Sequence, residues 1–209
     1  MKQSIMDSFT DIAESYRSQF GKITVDLGCG PNKKHGTIGI DMLPLPNVDF
    51  VTNMEQGLPF IPDNFIDEYV TVHFLEHINN LELLMKDIHR TLKPNGTVNI
   101  IVPHFSNPYY YSDYTHKRFF GLYSFDYFSG EKNKYRRKVP VYNGSFKFSV
   151  EKRKLYMRSP NFFWINIFKK YTWTKLFNCC PFMQELYENS FSSFIPCYEI
   201  AFTLRVRKE

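Results

Sequence analysis

The chain has 209 residues, 26 Lys and Arg against 21 Asp and Glu, and an aromatic content of 18%. That length fits one domain with a buried core. No apolar run approaches the roughly 20 residues of a membrane span and the first residues lead into no signal-like apolar core, so a soluble, cytoplasmic chain is expected. Cys29, Cys179, Cys180 and Cys197 have the spacing of neither a zinc site nor a disulfide framework, and neighbours such as Cys179 and Cys180 cannot pair without strain, so reduced, mostly buried thiols are expected.

From the N-terminus, Ile5, Phe9, Ile12, Ala13, Tyr16 and Phe20 repeat with a helical period and predict an amphipathic helix over 5–20. Strands are predicted at Ile23–Leu27, Thr37–Asp41, Val48–Thr52, Tyr69–Phe74 and Thr97–Val102. Between the last two, Leu81, Leu84, Met85, Ile88 and Leu92 mark a helix closed by the turn Lys93-Pro94-Asn95-Gly96. Phe146–Tyr156 and Ile200–Val206 read as two more strands. Alternating strands and helices predict an α/β fold with a doubly wound, mostly parallel sheet. Its early crossovers, Gly28–Gly36 and Met42–Asn47, are shorter than the dozen or so residues that parallel neighbours usually need. Part of one sheet face should therefore lack helices, to be covered by the N-terminal helix or a second subunit. The long connection from Pro103 to Phe146 carries little regular signal and reads as functional. A single domain, 1–209, with a loop and basic elaboration at about 103–175, accounts for the whole pattern.

Two features point to a nucleoside ligand. Val25-Asp26-Leu27-Gly28-Cys29-Gly30 is a strand ending in an acid and a glycine turn, and Ile38-Gly39-Ile40-Asp41 is a second strand ending in an acid. Glycines let backbone amides approach a ligand, and a strand-end carboxylate can grip both ribose hydroxyls. The turn continues Pro31-Asn32-Lys33-Lys34-His35, which is neither G-x-G-x-x-G nor a P-loop. Turn capping is the alternative role for Asp26 and Asp41.

With Leu58-Pro59-Phe60, Phe74-Leu75-Glu76-His77-Ile78 and Leu92-Lys93-Pro94-Asn95-Gly96 following in order, the chain resembles the class I S-adenosylmethionine-dependent methyltransferases over about 22–129 and 198–208. The resemblance implies a Rossmann-like, seven-stranded sheet whose last strand is antiparallel, and S-adenosylmethionine as cofactor, released as S-adenosylhomocysteine. It implies that Asp26, Gly28, Cys29 and Gly30 surround the methionine portion, that Asp41 holds the ribose, and that Met42 flanks the adenine. Asn53-Met54 stands where many relatives read the adenine edge with an Asp, and an amide oxygen can still accept from the exocyclic amine. His73 and Phe74 would end beside the sulfonium, with Glu76 and His77 organising the following loop. Asn107-Pro108-Tyr109 follows the fifth strand and lacks a second proline, so it reads as a loop and not as the motif of amino-directed DNA methyltransferases.

After the fifth strand come Val102-Pro103-His104-Phe105, Asp113-Tyr114-Thr115-His116-Lys117-Arg118-Phe119-Phe120 and Ser124-Phe125-Asp126-Tyr127-Phe128, similar to a subset of the family associated with small-molecule or surface-glycan modification. The resemblance implies that His104, Tyr114 and His116 overhang the cofactor and that Tyr114 and Arg118 contact the substrate. Methyl transfer is an in-line displacement on a carbon that is already electrophilic, so alignment dominates. A base, His104 or His116, matters only for a hydroxyl acceptor, and loop packing is the alternative for His116. No metal is implied, because the acids and histidines show no recognisable ligand spacing.

Charge is segregated: residues 1–129 carry 10 basic and 15 acidic side chains, residues 130–175 carry 13 and 2, and residues 176–209 carry 3 and 4. The middle block reads as a hairpin with its lysines outward or as a surface for an anion. The expected function is methylation of a hydroxyl or amine on a small molecule or glycan intermediate. The rivals are an RNA methyltransferase that uses the basic block and a non-catalytic cofactor-binding protein. Nucleic acid is not the expected partner, peripheral membrane contact is allowed, and the chain is expected to be a monomer or homodimer.

Overall fold

A computed structural model describes residues 2–129, 134–140, 146–159 and 161–208. Helix α1 (Lys2–Phe20) leads into a seven-stranded sheet of β1 (Thr24–Leu27), β2 (Ile38–Asp41), β3 (Phe50–Val51), β4 (Ile66–Val72), β5 (Leu92–Pro103), β6 (Lys147–Tyr156) and β7 (Glu199–Arg207). The spatial order is β3-β2-β1-β4-β5-β7-β6, parallel from β3 to β5, with β7 antiparallel to both neighbours. This is the predicted sheet, last strand included.

One face is densely packed. Val25, Leu27, Ile38, Ile40, Tyr69, Val98, Ile100, Phe202 and Leu204 are all 2% exposed or less. Helix α2 (Leu81–Thr91) lies on this face, where Tyr69 Oη and Thr91 Oγ1 meet at 2.8 Å. The connection after β5 supplies Phe125, whose ring packs edge-on against Phe202 at 4.8 Å. Helix α1 closes the β3 end by setting Phe9 edge-on against Phe50 at 5.7 Å and Phe60 at 5.6 Å.

The opposite face is different. On β5 and β7, every second residue is half-buried and its neighbours are buried, the pattern of a sheet solvated on one side. A polar ladder crosses it: Lys22 to Glu68 (2.5 Å), Asn99 to Glu68 (2.6 Å), Thr203 to Asn99 (2.9 Å), then Arg205 to Glu151. The short crossovers produce this face as expected. Helix α1 touches its margin through Tyr16, whose Oη accepts from Lys33 Nζ at 3.0 Å; a cavity of about 550 Å³ on this face is lined by strands and by the turn after β1.

Some predicted boundaries shift. Strand β3 has two residues, not the five of Val48–Thr52, and β4 ends at Val72, leaving His73 with φ +53° just beyond it. The predicted turn at Lys93–Gly96 lies inside β5 as a bulge: Ile66 pairs with Leu92 but Glu68 with Thr97, and Asn95 takes φ +64°. Three helices between β6 and β7 were not predicted: α3 (Phe163–Tyr171), α4 (Trp173–Phe177) and α5 (Pro181–Leu186). The hairpin expected in the basic block falls partly outside the described residues, Lys132 included. Of the cysteines, Cys29 and Cys197 are buried and Cys179 and Cys180 are exposed thiols, so only half meet the expected burial.

Candidate active site

The turn after β1 is built around close backbone approaches. Gly28 has φ +66°, and a Cβ there would lie 2.3 Å from the Phe74 ring. Gly30 has φ +54° and open space where its Cβ would be. Gly28 N–H donates to the Ile40 carbonyl at 2.9 Å, which ties the turn to the end of β2. Asp26, 6% exposed, accepts from Lys34 N–H at 3.0 Å, and burial raises its carboxyl above the ordinary aspartate value. Burial, then the Asp26 charge, pushes the Cys29 thiol up to about 11. Asp41 accepts Gly30 N–H at one oxygen and Leu43 N–H at the other, both at 3.0 Å, leaving each oxygen with further lone-pair capacity. This donor set and open glycine turn fit the nucleoside end of S-adenosylmethionine.

The other predicted cofactor residues surround the same end of the sheet with unequal commitments. Met42 is 64% exposed and Met54 3%. Asn53 spends its side-chain oxygen capping Glu55 N–H at 3.0 Å. His73 Nε2 meets Glu199 Oε1 at 2.9 Å and its Nδ1 lies 3.4 Å from Glu76 Oε1. The hydrogen bond to Glu199, then the Glu76 carboxylate beside Nδ1, raises the His73 imidazole to about 9, so it is cationic at neutral pH.

The loop residues divide. His104 is fully buried: its Nδ1 accepts from Ser106 N–H at 3.1 Å, so its Nε2–H donates to Glu188 Oε1 at 3.0 Å. Both nitrogens are committed to the interior, and the ring does not overhang the turn. Tyr114 is 97% exposed. Arg118 donates to the carbonyls of Ile78, at 2.8 Å, and Asn79, which anchors the loop to the segment after β4. His116 sits against His77, ring centroids 4.8 Å apart, and donor atoms of Glu76, His77 and His116 come within 4.8 Å of one another. Reading ligand spacing along the chain could not find this convergence, because it joins segments 39 residues apart.

A second cavity, of about 870 Å³, opens at the carboxyl ends of β4 and β5 beside His73 and adjoins the first at Tyr156. Arg158, Lys170, Tyr198 and Glu199 line it, and sequence reasoning missed all four. Glu199 had a signal: an antiparallel last strand must begin where the parallel ones end, and Pro103 pairs with Glu199. Several cations of the basic block make local contacts. Arg153 is buried against Asp126, Arg136 and Arg137 lie over Phe182 and Tyr123, and Lys169 lies over Tyr198.

Residues 33–100 match the model of a methyltransferase domain. No curated protein matches the chain. Among solved structures it is similar to an S-adenosylmethionine-dependent methyltransferase from Archaeoglobus fulgidus (TM-score 0.51, 16% identity, 93% of this chain and 92% of that one). It is also similar to the YcgJ protein from Bacillus subtilis (0.55, 15%, 90% and 92%). A third is phosphoethanolamine N-methyltransferase 2 from Haemonchus contortus in complex with S-adenosyl-L-methionine (0.51, 13%, 95% and 53%). At such identities the likeness is one of fold. The domain match supports a methyltransferase domain over residues 33–100, and the shared fold is one that S-adenosylmethionine-dependent methyltransferases also have.

Proposed function

We propose that the chain methylates a hydroxyl or amine of a small molecule or glycan intermediate that enters the larger cavity beside His73. When bound, S-adenosylmethionine supplies an electrophilic methyl carbon on a sulfonium. Asp41, with the Gly28–Gly30 turn, would hold the nucleoside, and Asp26 would keep the turn in shape through Lys34 N–H. The observation that carries the reading is the cavity itself, whose volume of about 870 Å³ and lining of Tyr109, Tyr156, Tyr198, Arg158 and Lys170 suit a sugar-sized acceptor with an anionic group. His73, cationic at neutral pH and paired with Glu199 in the cavity wall, is no base. Neither His104 nor His116 lines either cavity, so this reading assigns no general base, which an amine acceptor does not need.

Helix α3 supports an acceptor carried at a lipid surface. Phe162, Phe163, Trp164 and Phe168 are each more than half exposed, no residue of the helix is buried, and Phe163, Ile167 and Lys170 form one wall of the cavity. The nucleic-acid reading loses support because Arg153 is spent on Asp126, Arg136 and Arg137 lie over rings, and Arg158 lines the cavity.

Methyl transfer from radiolabelled S-adenosylmethionine into a cell extract, sorted into nucleic-acid, protein, lipid and small-molecule fractions, tests the reading. Label is expected in the lipid or small-molecule fraction. Label in RNA or DNA overturns it, and S-adenosylhomocysteine binding with no transfer to any fraction favours a non-catalytic role.

A further inference from the structure

Glu76 follows β4, is completely buried, and neither of its carboxylate oxygens has a hydrogen-bond partner. A buried carboxylate that accepts no hydrogen bond needs a proton or cations beside it to balance its charge. The charged neighbour at its Oε1 is the His73 imidazole, with Nδ1 at 3.4 Å. His77 and His116 are close as well: a ligand atom of each and one of Glu76 all fall within 4.8 Å of one another.

The hydrogen bonds around the two histidines determine which nitrogens are free. Thr115 Oγ1 donates its single proton to Asp113 Oδ1 at 2.5 Å, so at 2.9 Å from His77 Nδ1 it must accept, and that nitrogen carries the hydrogen. The partner of His116 Nδ1, at 3.0 Å, is the Tyr110 carbonyl, which can only accept, so this nitrogen is protonated too. Both rings therefore have Nε2 left for a ligand. Metal-binding histidines are held in this way, with the other nitrogen donating to a carbonyl, hydroxyl or carboxylate. His116 Nε2 also lies 3.4 Å from Asp113 Oδ2, and between a nitrogen lone pair and a carboxylate there must be a proton or a cation.

We propose that Glu76, His77 and His116 bind one divalent first-row transition ion, zinc or a metal of similar preference, which pins the loop after β5 to the end of β4. Two imidazoles and a carboxylate suit such an ion, whereas magnesium and calcium prefer oxygen ligands alone. At about 2.1 Å from each ligand a tetrahedral ion would draw the donor atoms to roughly 3.4 Å apart, so the cluster must close by up to about 1.4 Å. The site would reinforce a junction already made by Lys117 N–H donating to the Glu76 carbonyl at 2.8 Å and by the Arg118 bonds. His116 would then be a ligand and not a base.

The test is titration of the full chain, stripped with chelator, with Co²⁺ followed by Zn²⁺. One Co²⁺ per chain is expected, with a visible d–d spectrum that Zn²⁺ abolishes. Glu76→Gln and His116→Ala should lose that spectrum. Thr115→Val, which removes the orienting hydroxyl, should weaken binding by about 10- to 100-fold. His35→Ala, at an exposed histidine, should leave binding unchanged. If the ligand variants fail to fold, carbethoxylation of the wild-type chain decides: Zn²⁺ should protect His77 and His116 but not His35. No bound Co²⁺, binding that survives both ligand substitutions, or protection absent from His77 and His116 overturns the proposal.

Discussion

The two faces of the sheet are built for opposite purposes from alternating residues of the same strands. Along β7, Ile200, Phe202, Leu204 and Val206 enter the packed layer, while Glu199, Ala201, Thr203 and Arg205 look out on the open one. Asp26 and Asp41 share the open face, since Asp26 pairs with Gly39 and the packed positions of β2 are Ile38 and Ile40. Stability is thus concentrated on one side and the groups proposed to meet ligands on the other. The sheet tolerates that division because backbone pairing holds each strand whichever face its side chains occupy.

The sharpest way to break this comparison is a pair of adjacent substitutions on β7. Phe202→Ala removes a ring that is 2% exposed and packed on Phe125, and should cost about 3–5 kcal/mol of unfolding free energy. Thr203→Ala, one residue on, removes a hydroxyl bond to Asn99 on the open face and should cost about 1 kcal/mol. Equilibrium denaturation in urea measures both. Equal losses would mean that the open face is covered in solution, as by a second subunit.

Much of this division is legible in the sequence, though not all of it. The two acid-ended strands and the short crossovers predict both the turn and the uncovered face, because chain length alone decides whether a helix fits between parallel neighbours. The alternation E-I-A-F-T-L-R-V-R over 199–207 also announces a one-sided strand. The helices after β6 were missed although Phe163, Ile167 and Tyr171 recur at helical spacing; none of these residues is buried, so no core requirement pointed to them. The placement of the loop residues was illegible for a different reason. His104, Tyr114 and Arg118 have the residue types of a site, but whether such a side chain faces a cavity, solvent or a backbone carbonyl depends on tertiary placement that spacing does not carry.

On the open face, a substitution should change ligand binding more than folding. Asp41→Ala should weaken S-adenosylhomocysteine binding by roughly 1.5–3 kcal/mol for each ribose bond lost to the carboxylate. Folding should suffer little, because the amides it releases, on Gly30 and Leu43, sit in an open turn where water can replace it. Calorimetric titration beside thermal unfolding separates the two effects. Unchanged binding would return Asp41 to turn capping alone.

The smallest effect should have the opposite sign. Burial raises the Asp26 carboxyl, so the folded chain binds a proton more readily there than the unfolded chain does. From the ordinary aspartate value up to the raised one, the folded state holds more protons, so this group lowers stability as pH rises through that window. Above it the full cost remains. Asp26→Asn removes the charge and keeps an oxygen for Lys34 N–H, so the variant should unfold at a higher temperature than the wild type at pH 7. Its advantage should shrink as the pH falls through the window and vanish where both chains carry a neutral group. A melting temperature at or below the wild-type value at pH 7 would show that the two lysine charges beside Asp26, Lys33 and Lys34, outweigh its burial, and that this acid stabilises the turn instead of straining it.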